Sequence, residues 1–235
     1  KIGSGVLPFW PRNVATLAAT YSTLWEMSNG RVICGLGPWW EPITSKVGIK
    51  RHKPLQATRE FVSVLRKLFA REVVTWHSEL IHLDEVELDI IHGDTRPRAI
   101  PIYIGATGDK MLELTGEIAD GAVLNYMVSP AYIRKACDHL KIGAGKVGRA
   151  FDAIDRPELI VVSMDQDRAK ALDLARELLV QYLGQEPHIM KASGVSQDLL
   201  DQVHAVLGWP TTKEKVRQAM HLVPDELVQM VTASG

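Results

Sequence analysis

The sequence contains little that would place the protein in a membrane, outside the cell or on nucleic acid. It has only two cysteines, Cys34 and Cys137, which lie far apart in apolar segments, so we expect reduced core residues in a cytoplasmic protein. No apolar run reaches the roughly 18 residues of a membrane-spanning helix, and no secretory signal is visible. The net charge of -1 gives no support for a nucleic-acid partner.

Three familiar catalytic signatures are also missing. There is no Gly-x-Ser-x-Gly elbow of the kind that presents a nucleophilic serine. The segment from Gly105 to Lys110 lacks the Gly-Lys-Ser/Thr ending of a Walker loop. Gly35-Leu36-Gly37 follows a strand, but no third glycine opens a helix after it, as the Rossmann fingerprint requires. These three kinds of site therefore have no support in the sequence.

Two histidines stand near each other in a segment that reads as a hairpin. His77 and His82 flank Glu79, and histidine and carboxylate side chains are common zinc ligands. No third ligand follows at a useful spacing, so a solvated strand pair is the favoured interpretation. We therefore expect no metal site.

What the sequence does contain is an alternation of apolar strands and amphipathic helices. The 235 residues are 46% hydrophobic and 23% charged, which suits one large or two small globular domains. Five main strands are predicted at about residues 1–7, 31–36, 100–105, 121–125 and 159–164, and residues 73–76 and 86–90 read as an added hairpin. Continuously apolar strands separated by helices favour a parallel sheet covered on both sides. A doubly wound sheet and a (β/α)8 barrel, which needs eight strands, both fit.

The clearest single unit spans residues 100–125 and reads as strand, glycine turn, helix, glycine stop and strand. The turn Gly105-Ala106-Thr107-Gly108 opens the helix, and Gly121 is predicted to end it in a left-handed cap. Backbone N–H groups at such a turn point toward a helix N-terminus, where they can hold an anion such as phosphate. A tight turn with nothing bound remains the alternative.

The two ends of the chain lack complete units. The sequence begins in a strand without Met and ends at Ala233-Ser234-Gly235 with no finishing element. From Gly184 onward it turns polar, with helices and no strands. We expect the middle of a longer protein, in which residues 1–235 form one incomplete barrel domain and residues 184–235 are its helical insertion or tail.

Three ordered blocks, at residues 1–12, 28–38 and 100–125, resemble the luciferase-like (β/α)8 oxidoreductases. The similarity is greatest to the branch that uses the deazaflavin coenzyme F-420, the methylenetetrahydromethanopterin reductase-like enzymes. It covers about residues 1–183 in order. The resemblance implies a TIM barrel in which the first two strands and the eighth lie outside this chain.

The resemblance also implies a coenzyme site. In the family, a strand bulge carries a non-prolyl cis peptide bond that backs the deazaflavin ring, and the matching bond here is Gly5–Val6. The 105–108 turn matches the segment whose backbone amides hold the phosphate-bearing tail. The predicted coenzyme-binding residues are Ser4, Gly5, Val6, Gly35, Gly37, Gly105, Ala106, Thr107 and Gly108.

Substrate contacts are predicted beside these turns. Trp39 and Glu41 lie on the substrate side of the second turn, although a tryptophan-rich loop packed on the rim is an alternative. Asn125 and Tyr126 match a segment that borders substrate or coenzyme, and an ordinary loop asparagine is the alternative there. Pro38 stands where some members carry an acid that serves the chemistry, so no catalytic residue is assigned.

The resemblance implies an oxidoreductase that transfers a hydride between coenzyme F-420 and a small-molecule substrate, and a homodimer. An FMN-dependent luciferase-like monooxygenase is the alternative within the family. A non-catalytic barrel relative without cofactor is the alternative from another class.

Overall fold

The computed structural model describes residues 1–41, 43–88, 95–208 and 210–235. The chain divides into two compact units. The first unit comprises Lys1–Val123 and His139–Pro157, and the second comprises Leu124–Asp138 and Glu158–Gly235. That residues 1–235 form one domain stays a prediction.

The described strands are short, and most of them belong to the first unit. In chain order they are β1 (Ile2–Gly3), β2 (Leu7–Pro8), β3 (Val32–Gly37), β4 (Val74–His77), β5 (His82–Val86), β6 (Ile102–Gly105), β7 (Gly121–Val123), β8 (Val162–Ser163) and β9 (Ala233–Ser234).

The helices separate these strands and make up most of the second unit. They are α1 (Val14–Met27), α2 (Ile43–Lys46), α3 (Pro54–Phe69), α4 (Asp109–Ile118), α5 (Pro130–Lys146), α6 (Arg168–Gln185), α7 (Pro187–Ala192), α8 (Gln197–Leu207), α9 (Lys213–Ala219) and α10 (Asp225–Val231). Two 3-10 turns lie at Phe151–Ala153 and Met220–Leu222.

A parallel sheet forms the centre of the first unit. Its order is β1, β3, β6 and β7, and β2 pairs with β3 beyond the end of β1. All of these pairings are parallel, with Leu7 opposite Leu36 and Leu36 opposite Ile104. The central strands are apolar along their length because they are covered on both sides, and Cys34 and Ile102 have no exposed surface. The parallel, helix-covered sheet that the alternation predicts is confirmed.

Local signals account for the helices of this unit. The Asn13 side chain accepts hydrogen bonds from the amides of Ala15 and Thr16 and so starts α1. Pro54 occupies the first turn of α3, where its missing N–H costs nothing. Both helices bury an apolar face, with α1 packed on β3 and α3 packed on α1.

Two boundary predictions in the first unit are wrong. Helix α4 ends at Ile118, and Gly121 is the first residue of β7, without the left-handed conformation of a helix cap. Glycine is needed at 121 because a Cβ atom there would lie 2.8 Å from the ring of Tyr103. The second hairpin strand was predicted at residues 86–90 but is β5, His82–Val86; Asp89 and Ile90 lie outside the described residues.

The second unit is built around α6, whose inward face buries Leu172, Ala175, Leu179 and Leu183. Asp167 caps this helix by accepting hydrogen bonds from the amides of Ala169 and Lys170. Asp165, two residues earlier, pairs with Lys170 at 2.7 Å. Ser196 and Thr212 cap α8 and α9 through their hydroxyl oxygens.

The strand of the second unit differs from its prediction in length and burial. A buried strand was predicted at 159–164, but β8 contains only Val162–Ser163, and Ile160, Val162 and Met164 are 62%, 59% and 81% exposed. Strand β9 pairs with β8 in parallel, so the expectations of no strand after Gly184 and of no finishing element are both wrong. A two-residue strand that pairs with a distant segment has no local sequence signal.

A search of the described residues finds no helix with both the length and the apolar character needed to cross a bilayer.

Candidate functional site

The bulge between β1 and β2 packs the Val6 side chain against glycines on two other strands. The Gly5–Val6 peptide bond is cis, as the resemblance predicts. A Cβ atom built on Gly37 would lie 2.7 Å from Val6 Cγ2, and one on Gly105 would lie 2.8 Å from the same atom. Carbon atoms pack at about 3.5–4.0 Å, so only glycine lets β3 and β6 approach this side chain. Gly37 and Gly105 therefore make room for Val6, and coenzyme contacts predicted for them would be made by backbone atoms.

Ser4 anchors the other side of the bulge. Its hydroxyl group donates to the Gly35 carbonyl oxygen at 2.6 Å and accepts from the Gly35 amide at 3.2 Å. Because its single proton is used there, the Tyr21 hydroxyl group donates the 2.6 Å hydrogen bond to Ser4. The Ser4 side chain thus faces Tyr21 of α1 and the β3 backbone, and its role as a coenzyme contact stays a prediction.

Tyr21 was not recognised in the sequence as part of the site. Burial raises the pKa of Tyr21 to about 12, and burial also raises the pKa of the neighbouring Cys34 thiol to about 12. Both groups are therefore neutral near pH 7 and act as hydrogen-bonding supports beneath the bulge. A tyrosine on the buried face of a helix has the sequence signature of any core residue, so pattern alone could not select it.

Two of the predicted glycines lie open. A Cβ atom on Gly5 or Gly108 would meet no atom within 4 Å. Gly108 also precedes the first turn of α4 and has no side chain to cap the free N–H groups of that turn. Ala106, in the same turn as Gly108, is 2% exposed, so it can offer only backbone atoms to a ligand. Thr107 is half-buried. The chain therefore presents an open backbone at the bulge and an uncapped helix N-terminus after β6, which suits a phosphate group.

Hydrogen bonds hold the loop after β3 at Pro38 and at Glu41. Trp10 Nε1 donates to the Pro38 carbonyl oxygen at 2.5 Å, and Trp39 adopts a left-handed conformation with φ 55°. Glu41 accepts from the amide and hydroxyl groups of Ser45 at 3.3 and 2.7 Å. Hydrogen bonds from Thr44 and Ser45 hold the pKa of Glu41 below its ordinary value. Glu41 is thus an ionised carboxylate bound to the start of α2, and its predicted substrate contact stays a prediction.

Asn125 and Tyr126 belong to the second unit. The Asn125 amide donates to the Tyr182 hydroxyl group, and the Tyr126 and Tyr182 rings lie 4.9 Å apart. Burial raises the pKa of both tyrosines, so their hydroxyl groups stay protonated. Tyr182 of α6 is therefore the residue that positions Asn125. Substrate binding by Asn125 and Tyr126 stays a prediction.

These features define a class: parallel βα proteins whose ligand lies at the carboxyl ends of the strands, on glycine turns and helix N-termini. A model of the luciferase-like monooxygenase family matches residues 1–235, and the chain belongs to that family. The resemblance seen in the sequence is confirmed.

The relatives include reductases and an F-420-dependent dehydrogenase. The chain is 31% identical to a 5,10-methylenetetrahydromethanopterin reductase of Archaeoglobus fulgidus over all of this chain and 69% of the relative. It is 34% identical to the same enzyme of Methanolobus tindarius over 81% of this chain and 56% of the relative. An F-420-dependent glucose-6-phosphate dehydrogenase of Nakamurella multipartita is 28% identical over 74% of this chain and 52% of the relative. The chain thus spans between about half and two thirds of these proteins.

Solved structures establish the fold. The coenzyme F-420-dependent tetrahydromethanopterin reductase of Methanopyrus kandleri superimposes with a TM-score of 0.85 at 24% identity, over all of this chain and 70% of that one. The FMN complex of the oxygenating constituent of 3,6-diketocamphane monooxygenase from Pseudomonas putida gives 0.66 at 15% identity, over all of this chain and 66% of that one. The fold is therefore the luciferase-like (β/α)8 TIM barrel, represented by part of its strands, and the doubly wound alternative is discarded.

Proposed function

We propose that this chain is the coenzyme-binding part of an F-420-dependent oxidoreductase that transfers a hydride between the deazaflavin and a small organic substrate. The observation that carries the proposal is the open backbone at Gly5, which precedes Val6, and at Gly108, which follows Gly105 in the same turn. It occurs in a chain whose relatives include F-420-dependent enzymes. When bound, the coenzyme itself supplies the hydride chemistry.

The residues of this chain would bind the coenzyme and hold it in a fixed orientation. Val6, seated on Gly37 and Gly105, holds the bulge that would support the ring. The amides of the 105–108 turn and the first turn of α4 would hold the phosphate group, because an uncapped helix N-terminus carries partial positive charge. Rigid placement of both parts would keep the ring at a fixed distance from the substrate, which is the contribution that proteins make to such reactions.

The substrate class follows from the relatives with the higher identities. Those at 31% and 34% identity are named for a methylene-tetrahydropterin, and the one at 28% for glucose 6-phosphate. A one-carbon-bearing tetrahydropterin is therefore the first substrate to test. Trp39 and Glu41 are its proposed contacts in the first unit. For Asn125 and Tyr126 of the second unit, a ligand contact is proposed separately, from the resemblance.

The FMN-dependent monooxygenase is the second candidate, because the family carries that name and one structural neighbour holds FMN. Titration of the purified protein with F-420 and with FMN, followed by fluorescence, separates the two. Tighter binding of F-420 supports the proposal when methylene-tetrahydromethanopterin, added to the reduced coenzyme, also restores the absorbance of oxidised F-420, because the hydride passes from the reduced deazaflavin to the methylene carbon. Tighter binding of FMN would replace it with the monooxygenase, and binding of neither would leave the non-catalytic relative.

A charge change at Gly108 tests the phosphate contact separately. Asp and Asn are both good N-cap residues, so Gly108→Asp and Gly108→Asn should fold equally well. Only aspartate places a negative charge at the predicted phosphate position. We expect Gly108→Asp to bind F-420 about tenfold more weakly than Gly108→Asn, from a charge effect of about 1–2 kcal/mol. Equal affinities would remove the phosphate group from this turn and leave the rest of the proposal standing.

Location and assembly complete the proposal. We infer a cytoplasmic protein, since Cys34 and Cys137 are both free thiols. We infer a homodimer from the resemblance alone. Light scattering of the purified protein tests the second inference, and a monomeric mass would contradict it.

A further inference from the structure

Three metal-ligand side chains converge on the β4–β5 hairpin of the first unit. His77 Nε2 lies 2.5 Å from Asp84 Oδ1, and His82 Nε2 lies 3.1 Å from Asp84 Oδ2. The two imidazole rings are stacked, 4.4 Å apart and within 8° of parallel. Ligand atoms of all three residues lie within 4.8 Å of one another, and all three side chains are exposed. The sequence predicts no third ligand at a useful spacing, whereas in the structure the Asp84 carboxylate lies beside both histidines.

The strand register explains why these three side chains meet. His77 and His82 are directly opposed in the antiparallel pair. Asp84 lies two residues beyond His82, on the same face, because successive side chains of a strand alternate. The opposite face carries Val74 and Leu83, which are buried in the core. The hairpin thus separates an apolar inner face from an outer face that carries the three ligands.

A β-bulge in the hairpin affects the direction of the Asp84 side chain. The register shifts between Val74 and Trp76, which leaves one extra residue in β5. Glu85 of that strand adopts the left-handed conformation with φ 49°. The Glu85 amide is satisfied by the Thr75 hydroxyl group at 3.1 Å. Bulges of this kind redirect side chains, and Asp84 is one of the two β5 residues that lie opposite Thr75.

The turn that joins the two strands is fixed to α3. Ser78 accepts hydrogen bonds from the amides of Leu80 and Ile81 and donates to Glu60 of α3 at 2.5 Å. Glu79 pairs with Lys53 at 2.7 Å and with His52 at 2.8 Å, so its carboxylate is engaged outside the cluster. The backbone that carries the ligands is therefore held in place before any ion binds.

We propose that His77, His82 and Asp84 form a surface site for a divalent transition-metal ion of the zinc class. Two neutral imidazoles and one carboxylate match the nitrogen and oxygen ligands of zinc and leave a fourth position for water. The ligand atoms of one tetrahedral zinc ion stand about 3.4 Å apart, so the exposed side chains need to move by about 1 Å. The cluster carries one net negative charge when the histidines are neutral.

The competing account is a hydrogen-bonded His–Asp–His cluster that takes no ion. Calorimetric titration of the purified protein with Zn²⁺ distinguishes the two, with Mg²⁺ as the comparison, because Mg²⁺ prefers oxygen ligands. We expect Zn²⁺ to bind and Mg²⁺ not to compete. His82→Ala and Asp84→Asn should each weaken Zn²⁺ binding at least about tenfold, since even outer-shell partners are worth 10–100-fold. Glu79→Gln, in the same hairpin, and His204→Ala, on α8, should leave the affinity unchanged.

Thermal unfolding gives a second readout that does not depend on activity. Zn²⁺ should raise the unfolding temperature of the parent protein and of Glu79→Gln, but not that of His82→Ala. Absence of Zn²⁺ binding at millimolar concentration would overturn the proposal. So would equal Zn²⁺ affinity of the parent and His82→Ala proteins, or equal competition by Mg²⁺.

Discussion

Ser4 and Gly35 lie so close that a Cβ atom built on Gly35 falls 1.8 Å from the Ser4 carbonyl oxygen. Replacement by alanine must therefore push β3 away from the bulge or distort the bulge itself. The nearest atoms are the carbonyl oxygen and carbon of the Ser4 backbone, which cannot move aside as a flexible side chain could. We predict that Gly35→Ala lowers the free energy of unfolding by about 2–3 kcal/mol, measured by urea denaturation.

Gly108→Ala is the matched control for that change. Its added Cβ meets no atom within 4 Å. The expected loss is at most about 1 kcal/mol, from the poorer helix cap. Equal stability losses in the two variants would contradict the packing role assigned to Gly35.

Helices α4 and α5 touch through glycines in the first unit. A Cβ atom on Gly143 would lie 1.8 Å from the Glu113 carbonyl oxygen, and one on Gly116 would lie 2.2 Å from the Leu140 carbonyl oxygen. We predict that Gly143→Ala destabilises the protein by about 2–3 kcal/mol. Gly145, in the same helix, has nothing within 4 Å, so Gly145→Ala should stabilise by up to about 1 kcal/mol through helix propensity. Thermal melting curves of the two variants should shift in opposite directions.

The contact between the same two helices includes a carboxylate with an altered pKa. Hydrogen bonds from Lys146 and then Lys110 lower the pKa of Glu113 from its ordinary 4.5 to about 2. A lowered folded-state pKa stabilises the protein above the unfolded value, and that contribution is lost as pH falls through the folded value. We predict that the stability difference between the parent and Glu113→Gln proteins shrinks as pH falls from 4.5 to about 2. Urea denaturation across that range measures it, and a difference that does not change with pH would contradict the assignment.

Patterns of local spacing predicted most of the first unit correctly. Apolar runs located β3 and β6, and the glycine turn at 105–108 preceded α4. Each of these depends on residues within one turn or one strand, where chemistry and conformation are directly linked.

Features that depend on distant residues were not predictable in this way. The partner of Gly121 is the Tyr103 ring, and the partner of β8 is a strand near the end of the chain. Neither segment contains the information about its distant partner, so these pairings had to come from the structure. Asp84 is close to both histidines in sequence, but the strand register and the bulge that bring the three side chains together are set by the fold of the hairpin.

Substitutions at Asn125 and Tyr182 distinguish a structural role of Asn125 from a substrate-binding role. Tyr182 is 4% exposed and accepts a hydrogen bond from the Asn125 amide. Tyr182→Phe removes the acceptor and leaves that amide unsatisfied, at an expected cost of about 1–2 kcal/mol in the free energy of unfolding. In an Asn125→Ala background the same change should cost about 1 kcal/mol less, because the partner is already gone.

The kinetic readout decides whether Asn125 also contacts substrate. When it does, Asn125→Ala raises KM, and Tyr182→Phe raises KM by a smaller factor because the amide is still present but no longer oriented. Measurements need saturating coenzyme so that KM reports the substrate alone. An Asn125→Ala protein with the parent KM and a lowered unfolding free energy would assign the residue to packing and leave Tyr126 as the proposed substrate contact of that segment.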